Sequence, residues 1–198
     1  MNRASLLLAL LDQVFVAALP WIFFRRDGKL NARWFATALP YMLSIVLLGA
    51  ALLGFVDAWR PGSEALGVAM ELLSVVLCAG SVALIAFTLG THRIPIALWH
   101  QENDAPRHIV TWGAYSRVRH PFYASFLTAL LGALVFSPNA GTLLAFVYAL
   151  IVLELTARRE ERHLCASEYG AEYAAYMKRT GRFVPRLSAR AADMGGAR

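Results

Sequence analysis

Charge is scarce in this chain. Of its 198 residues, 58% are hydrophobic and only 16% are Asp, Glu, Lys or Arg, whereas roughly a quarter of an ordinary soluble domain is charged. The charges are also unevenly placed. Long apolar runs alternate with short basic segments, which excludes one oily soluble core. Cysteine is rarer still: Cys78 and Cys165 have no metal-like neighbours in sequence, so both read as packing residues and no metal centre is expected. No Gly-rich dinucleotide loop follows a predicted strand. No basic stripe with interleaved aromatics marks a nucleic-acid surface, and no segment repeats.

What is present is apolar length. A bilayer core needs about 20 apolar residues per helix. Five segments qualify or come close: Ser5–Phe24, Phe35–Val56, Ala65–Leu89, Phe122–Phe136 and Thr142–Thr156. The last two are short. They are joined by Ser137-Pro138-Asn139-Ala140-Gly141, a strong turn sequence, and together predict a tight helical hairpin that needs a thinned bilayer or snorkelling flanks. Met1–Pro20 has Arg3 and an apolar stretch, but Asp12 and Gln13 interrupt it, so it reads as a retained span rather than a cleaved signal.

The basic residues orient these spans. The first connecting loop has Arg25, Arg26, Lys29 and Arg33, and the second only Arg60. The third has Arg93, Arg107, Arg117 and Arg119, and the Ser137–Gly141 turn has none. Nine more follow Ala157. Five spans place every basic segment on one side, with the N-terminus outside and the C-terminus in the cytoplasm. The expected fold is therefore all-α: a polytopic helical membrane protein with about five transmembrane helices and a cytoplasmic C-terminal amphipathic helix. It divides into three N-terminal spans (1–89), a polar region (90–187) containing the hairpin 122–156, and a disordered tail (188–198). The net charge of +6 suits contact with an anionic lipid surface.

Polar residues gather in three segments. The first runs Gly90–Arg117, with His92, Arg93, Trp99, His100 and His108. The second is Gly113-Ala114-Tyr115-Ser116-Arg117-Val118-Arg119-His120-Pro121-Phe122-Tyr123. The third is Arg158–Arg186, with Glu160-Glu161, Tyr169-Gly170, Tyr173, Tyr176 and Val184-Pro185-Arg186. Pro121 suits a first helical turn and fixes how Arg119 and His120 project; taken alone, that pair reads as an interfacial anchor. Arg158–Tyr176 reads as an amphipathic helix interrupted near Gly170, where Glu160 and His163 could share a face. Asp12, Glu71 and Glu154 are carboxylates within predicted spans, and Glu154 sits where it could line a cytoplasmic pocket.

In this order and spacing, about residues 107–187 resemble the isoprenylcysteine carboxyl methyltransferase family and, more broadly, bacterial membrane methyltransferases and phospholipid N-methyltransferases. The resemblance rests on His108, Gly113-x-Tyr115, Arg119-His120-Pro121-x-Tyr123, the hairpin, Glu160-Glu161, Tyr169-Gly170-x-x-Tyr173-x-x-Tyr176 and Val184-Pro185-Arg186. It implies an S-adenosylmethionine-dependent enzyme of a bacterial inner membrane, with a cytoplasmic cofactor pocket and a lipid or lipidated small molecule as acceptor. It also implies cofactor-binding roles for His108, Val110, Gly113, Tyr115, Arg119, His120, Tyr123, Glu160 and Glu161, with Arg119, His120 and Glu161 at the reacting centre. The sequence departs from the family at Ala114, where proline is usual, and at Ser125, where glycine is usual. A membrane NADPH-dependent reductase of sterol or polyprenoid lipids and a non-enzymatic membrane component are the alternatives.

Overall fold

The computed structural model describes residues 3–23, 25–26, 29–30, 33–56, 59, 61–91 and 109–186, with side-chain surroundings for 3–19, 38–56, 59, 61–91 and 109–186. The described chain is helical, apart from one two-residue antiparallel ladder that pairs Arg25–Arg26 with Lys29–Leu30. The helices are α1 (Arg3–Phe23), α2 (Arg33–Leu52), α3 (Glu64–Thr91), α4 (Pro121–Phe136), α5 (Ala140–Cys165) and α6 (Gly170–Arg179). A 3-10 turn, Gly113–Ser116, precedes α4.

Their ends follow local chemistry. α2 stops at Leu52, short of the expected Val56, because Gly54 adopts φ +79°. Phe55 N then donates to Ala50 O at 2.8 Å and Gly54 N to Ala51 O at 3.2 Å, the paired bonds of a glycine-terminated helix. Pro121 occupies the first turn of α4 as expected. The turn after α4 is closed by a capping box: Thr142 N donates to Asn139 Oδ1 at 3.0 Å, and Asn139 N to Thr142 Oγ1 at 3.2 Å.

The hairpin differs from expectation. Its second arm is a 26-residue helix, so it reaches about 39 Å at 1.5 Å per residue, where α4 with 16 residues reaches about 24 Å. Apolarity ends near Ala157 but helicity does not, since no breaker lies between Thr156 and Arg158. An i,i+4 pair, Arg158 Nε to Glu154 Oε1 at 2.8 Å, crosses the boundary. The amphipathic helix expected over Arg158–Tyr176 is interrupted before Gly170 as read, but its first piece is the charged end of α5 and its second is α6.

Two helices among the described residues, α3 and α5, are long and apolar enough to cross a membrane. Only 28% of each apolar stretch is buried, so neither is an interior helix of the described bundle. Leu72, Val76, Leu144 and Leu155 are among their exposed large side chains. α2 from Ala38 and all of α4 are shorter apolar helices. α3 lies along α4, α1 meets α2, α3 and α4, and α2 meets α5. Inside, one apolar cluster includes Val16, Tyr41, Ile85 and Phe126. A second includes Leu6, Ala9, Leu48, Cys78 and Phe136. Cys78 packs as expected, whereas Cys165 is exposed, with Sγ 3.7 Å from Met177 Sδ.

Candidate functional site

The polar residues meet where α4 begins and α5 ends. The segment before α4 is held by two anchors. Gly113 has φ +59°, and a Cβ there would lie 2.3 Å from Thr91 Oγ1; glycine is required on both counts. Ala114 N donates to that same Thr91 Oγ1 at 3.2 Å. A proline at 114 would have no N–H to make this bond. On the other side, Arg119 N donates to Gly181 O at 2.9 Å and His120 N to Arg182 O at 3.1 Å. The chain after α6 thus runs beside the start of α4, and a Cβ on Gly181 would meet Val184 O at 1.6 Å.

This clamp buries a charge network. Arg119, 9% exposed, donates from Nε to Glu161 Oε1 at 2.8 Å. Its Nη1 donates to the carbonyls of Met177, at 3.3 Å, and Thr180, at the end of α6, where carbonyls lack helical partners. Arg182 grips Glu161 as a fork, with Nε 3.1 Å from Oε1 and Nη2 2.5 Å from Oε2, and its Nη1 reaches Glu154. His120 Nε2 lies 3.2 Å from Glu161 Oε1, and its Nδ1 lies 3.5 Å from Glu160 Oε2. Tyr123 donates its hydroxyl to Glu160 Oε1 at 2.7 Å and stacks on the His120 ring at 5.3 Å. Phe183 meets both rings edge-on. Tyr173 and Tyr176 are buried beside each other, and Tyr176 donates its hydroxyl to Tyr115 O at 2.6 Å.

The adjacent carboxylates differ sharply. Both lie beyond the apolar stretch of α5. Burial alone would raise Glu161, but bonds from His120, Arg182 and Arg119 outweigh it and hold that carboxyl well below the usual range. Burial pushes Glu160 up to about 7; the Tyr123 bond opposes this and the Glu161 charge adds to it. Burial also holds His120 below its ordinary value, against the pull of Glu161. A neutral imidazole facing an ionised Glu161 carries its proton on Nε2, which leaves an unprotonated Nδ1 3.5 Å from Glu160 Oε2. Glu161 is therefore a clamp engaged by three side chains. Glu160, with His120 beside it, is the part that can exchange a proton near neutral pH, and Tyr123 serves it as a hydrogen-bond donor. Burial raises Tyr115, Tyr173 and Tyr176 above the ordinary phenol value, so these stay neutral.

Most of the expected residues converge. Arg119, His120, Tyr123, Glu160 and Glu161 share the network, Tyr115 joins through Tyr176, and Gly113 shapes the turn. Arg119, expected at the cofactor and the reacting centre, pairs with Glu161. Glu160 turns to Tyr123 rather than along the helix to His163, which is exposed. Val110 is half-buried before the turn. His108, with His92, Arg93, Trp99 and His100, lies outside the described residues. Ser125 is fully buried and donates to Phe122 O at 2.7 Å, so its hydroxyl is satisfied within α4. Sequence reasoning missed Arg182 and Phe183. The available signal was charge balance, because two adjacent glutamates at a buried position call for more than one arginine.

The chain is 34% identical over 116 residues to the cobalt-zinc-cadmium resistance protein CzcN of Cupriavidus metallidurans, covering 58% of this chain and 51% of that protein. It is 32% identical over 117 residues to the nickel-cobalt-cadmium resistance protein NccN of Alcaligenes xylosoxydans xylosoxydans, covering 58% and 52%. The chain spans about half the length of the curated relatives it matches. No family model matches, and no solved structure matches. The two names correct the function expected from the resemblance. Both relatives are named for metal resistance, and neither name mentions a lipid or a methyl group. Methylation of a lipid-embedded acceptor is overturned, together with its reductase and phospholipid alternatives.

Proposed function

We propose that this chain is a membrane-embedded component of resistance to divalent transition metals of the cobalt, nickel, zinc and cadmium group, and that the network around Glu161 is its working site. The observation that carries this reading is the likeness to two proteins named for such resistance. The two long, largely unburied apolar helices support a bilayer location. The basic loops support five spans with the N-terminus outside and the network on the cytoplasmic face. Among the described residues, no three His, Cys, Asp or Glu side chains converge as a metal site would need. The reading therefore assigns metal contact to none of them and gives the site a supporting role in resistance.

The test is tolerance of cobalt, nickel, zinc and cadmium salts in a host lacking the protein and in one carrying it. Loss of the chain is expected to lower the tolerated concentration several-fold. Restoration is expected from wild type and not from Arg119→Ala. Equal tolerance with and without the chain, once its presence in membranes has been checked, would remove this reading.

A second reading concerns only the ligand of the site. The aromatic faces of His120, Tyr123 and Phe183, beside Glu160, suit a sulfonium cation, which aromatic rings attract. We propose S-adenosylmethionine as that ligand, held by these residues together with Tyr115. A rise in melting temperature with S-adenosylhomocysteine, absent in Tyr123→Ala, supports it by mass action. No shift in wild type rejects it.

A further inference from the structure

A second polar group, separate from the Glu161 network, lies on α1, α2 and α3. It forms a layer between the two apolar clusters. Val16, Tyr41 and Ile85 belong to the cluster on one side, and Ala9, Leu48 and Cys78 to that on the other. Between them on the same three helices fall Asp12, Gln13, Ser44 and Ser81. Asp12 is 3% exposed, Tyr41 is 3%, and Gln13, Ser44 and Ser81 are 0%. Asp12 lies beside the Ser81 hydroxyl and the Cys78 thiol, and its charge reaches Tyr41. Gln13 is anchored by Nε2 donating to Ala129 O at 2.9 Å on α4, which leaves its carbonyl oxygen over.

Apart from the approach of Ser81 and Cys78 to Asp12, these oxygens meet no protein partner at hydrogen-bonding geometry. Both carboxylate oxygens of Asp12, Gln13 Oε1, Tyr41 Oη, Ser44 Oγ and Ser81 Oγ are buried without a hydrogen-bond partner. One such atom costs about 1–3 kcal/mol, and natural interiors tolerate few of them. Six in one layer of three helices call for an occupant.

We propose that this layer binds a monovalent inorganic cation between α1, α2 and α3, with Asp12 as its charge partner and Tyr41, Ser81, Gln13 and Ser44 as neutral oxygen donors. All six unpartnered atoms are hard oxygens, the donor type that inorganic cations without thiolate or imidazole preference take. One carboxylate balances one positive charge. A divalent ion would leave a net charge in apolar surroundings, where an uncompensated charge is strongly disfavoured. Among the described residues, the Cys78 thiol is the one soft donor beside Asp12, too little for a transition-metal site.

The experiment follows the melting of the full-length protein in detergent micelles as Na+ or K+ replaces choline at fixed ionic strength. The expected result is a saturable rise of several degrees with at least one of the two ions. Asp12→Asn should remove the rise. Ser81→Ala, lacking one donor, should shift the half-saturating concentration upward by roughly fivefold, the worth of one hydrogen-bonding group. Three outcomes overturn the assignment: identical melting in choline and in both alkali ions, a full response in Asp12→Asn, or stabilisation by a divalent ion alone. If Asp12→Asn does not insert, an unchanged midpoint in Ser81→Ala is decisive against it. The measurement uses no transition metal tolerance, so its failure is separable from that of the proposed function.

Discussion

Replacing Glu161 by glutamine is the sharpest test of the buried network. The side chain is isosteric, so cavity effects are small and the change is electrostatic. In the native site, Arg119 and Glu161 are 7% and 5% exposed at the side chain, and Arg182 is 26%. Arg182 can turn toward solvent once its partner is neutral. Arg119 cannot turn so easily, because the Met177 and Thr180 carbonyls hold it. The glutamine also presents an amide donor to guanidinium donors, so one contact becomes donor against donor. Removing one partner of a buried pair typically costs 3–5 kcal/mol. The freedom of Arg182 places this case near the lower end, at about 3 kcal/mol. For a chain of 150–250 residues, about 1 kcal/mol moves the melting point 2–4 °C, which makes the expected drop roughly 6–12 °C. The assay is thermal unfolding in detergent, followed by near-UV circular dichroism. Arg158→Ala is the control, since its pair with Glu154 is 62% exposed on the arginine side and an exposed i,i+4 pair is worth about 0.5 kcal/mol at most. Adding Arg119→Gln to Glu161→Gln should cost less than the sum of the singles. A loss below about 1 kcal/mol, or strict additivity, would refute the claim that the charges are desolvated and coupled.

The protonation pattern predicts a pH signature. Glu160 is raised from 4.5 to about 7, so its stabilising contribution is full below 4.5 and is lost as pH rises through about 7; Glu160→Gln, which keeps the neutral shape, should gain on wild type across that window, and parallel melting curves would reject the raised value. Glu161 acts oppositely, because its lowered value means stability present above 4.5 and lost on acidification below it. Gly181→Ala places a Cβ 1.6 Å from a backbone oxygen and should lower the melting point by several degrees or prevent accumulation; wild-type melting would show that the 181–184 turn is loosely held. Tyr176→Phe deletes the 2.6 Å bond to Tyr115 O and should cost about 1 kcal/mol, read by the same melting assay, with an unchanged midpoint counting against that tie between α6 and the 3-10 turn.

The helices were legible because their signals are local. Apolar length located α1 to α4 within a few residues, and the Asn139 turn placed the start of α5. The end of α5 was misplaced because hydropathy reports the environment of a helix and not its continuity. The charges from Arg158 onward mark where the apolar stretch stops, while Leu, Glu, Arg and Ala remain good helix formers through that stretch. The real break falls at Ser167–Tyr169. That agrees with the interruption read near Gly170, where a Cβ would lie 2.2 Å from Cys165 O.

The site was legible in its membership and less so in its wiring. Arg119, His120, Tyr123 and the glutamate pair lie near each other in sequence or at readable helix ends, so their convergence could be expected. Which glutamate faces which partner depends on a rotation of 100° along α5, and only the packing of α4 and α6 fixes that rotation. Glu161 turns to the arginines, and Glu160 turns to Tyr123. Arg182 was hidden for a different reason. It is brought in by the parallel bridge of Val118 with Gly181, a pairing of two non-helical segments with no periodicity to read. Its presence nonetheless follows from energetics. A carboxylate 5% exposed beside a second carboxyl cannot stay ionised on one arginine and a neutral imidazole without a large desolvation cost. Either Glu161 carries a proton or another cation reaches it, and the fork from Arg182 supplies that cation. This leaves the proton of the pair on Glu160, beside the imidazole, where a ligand could use it.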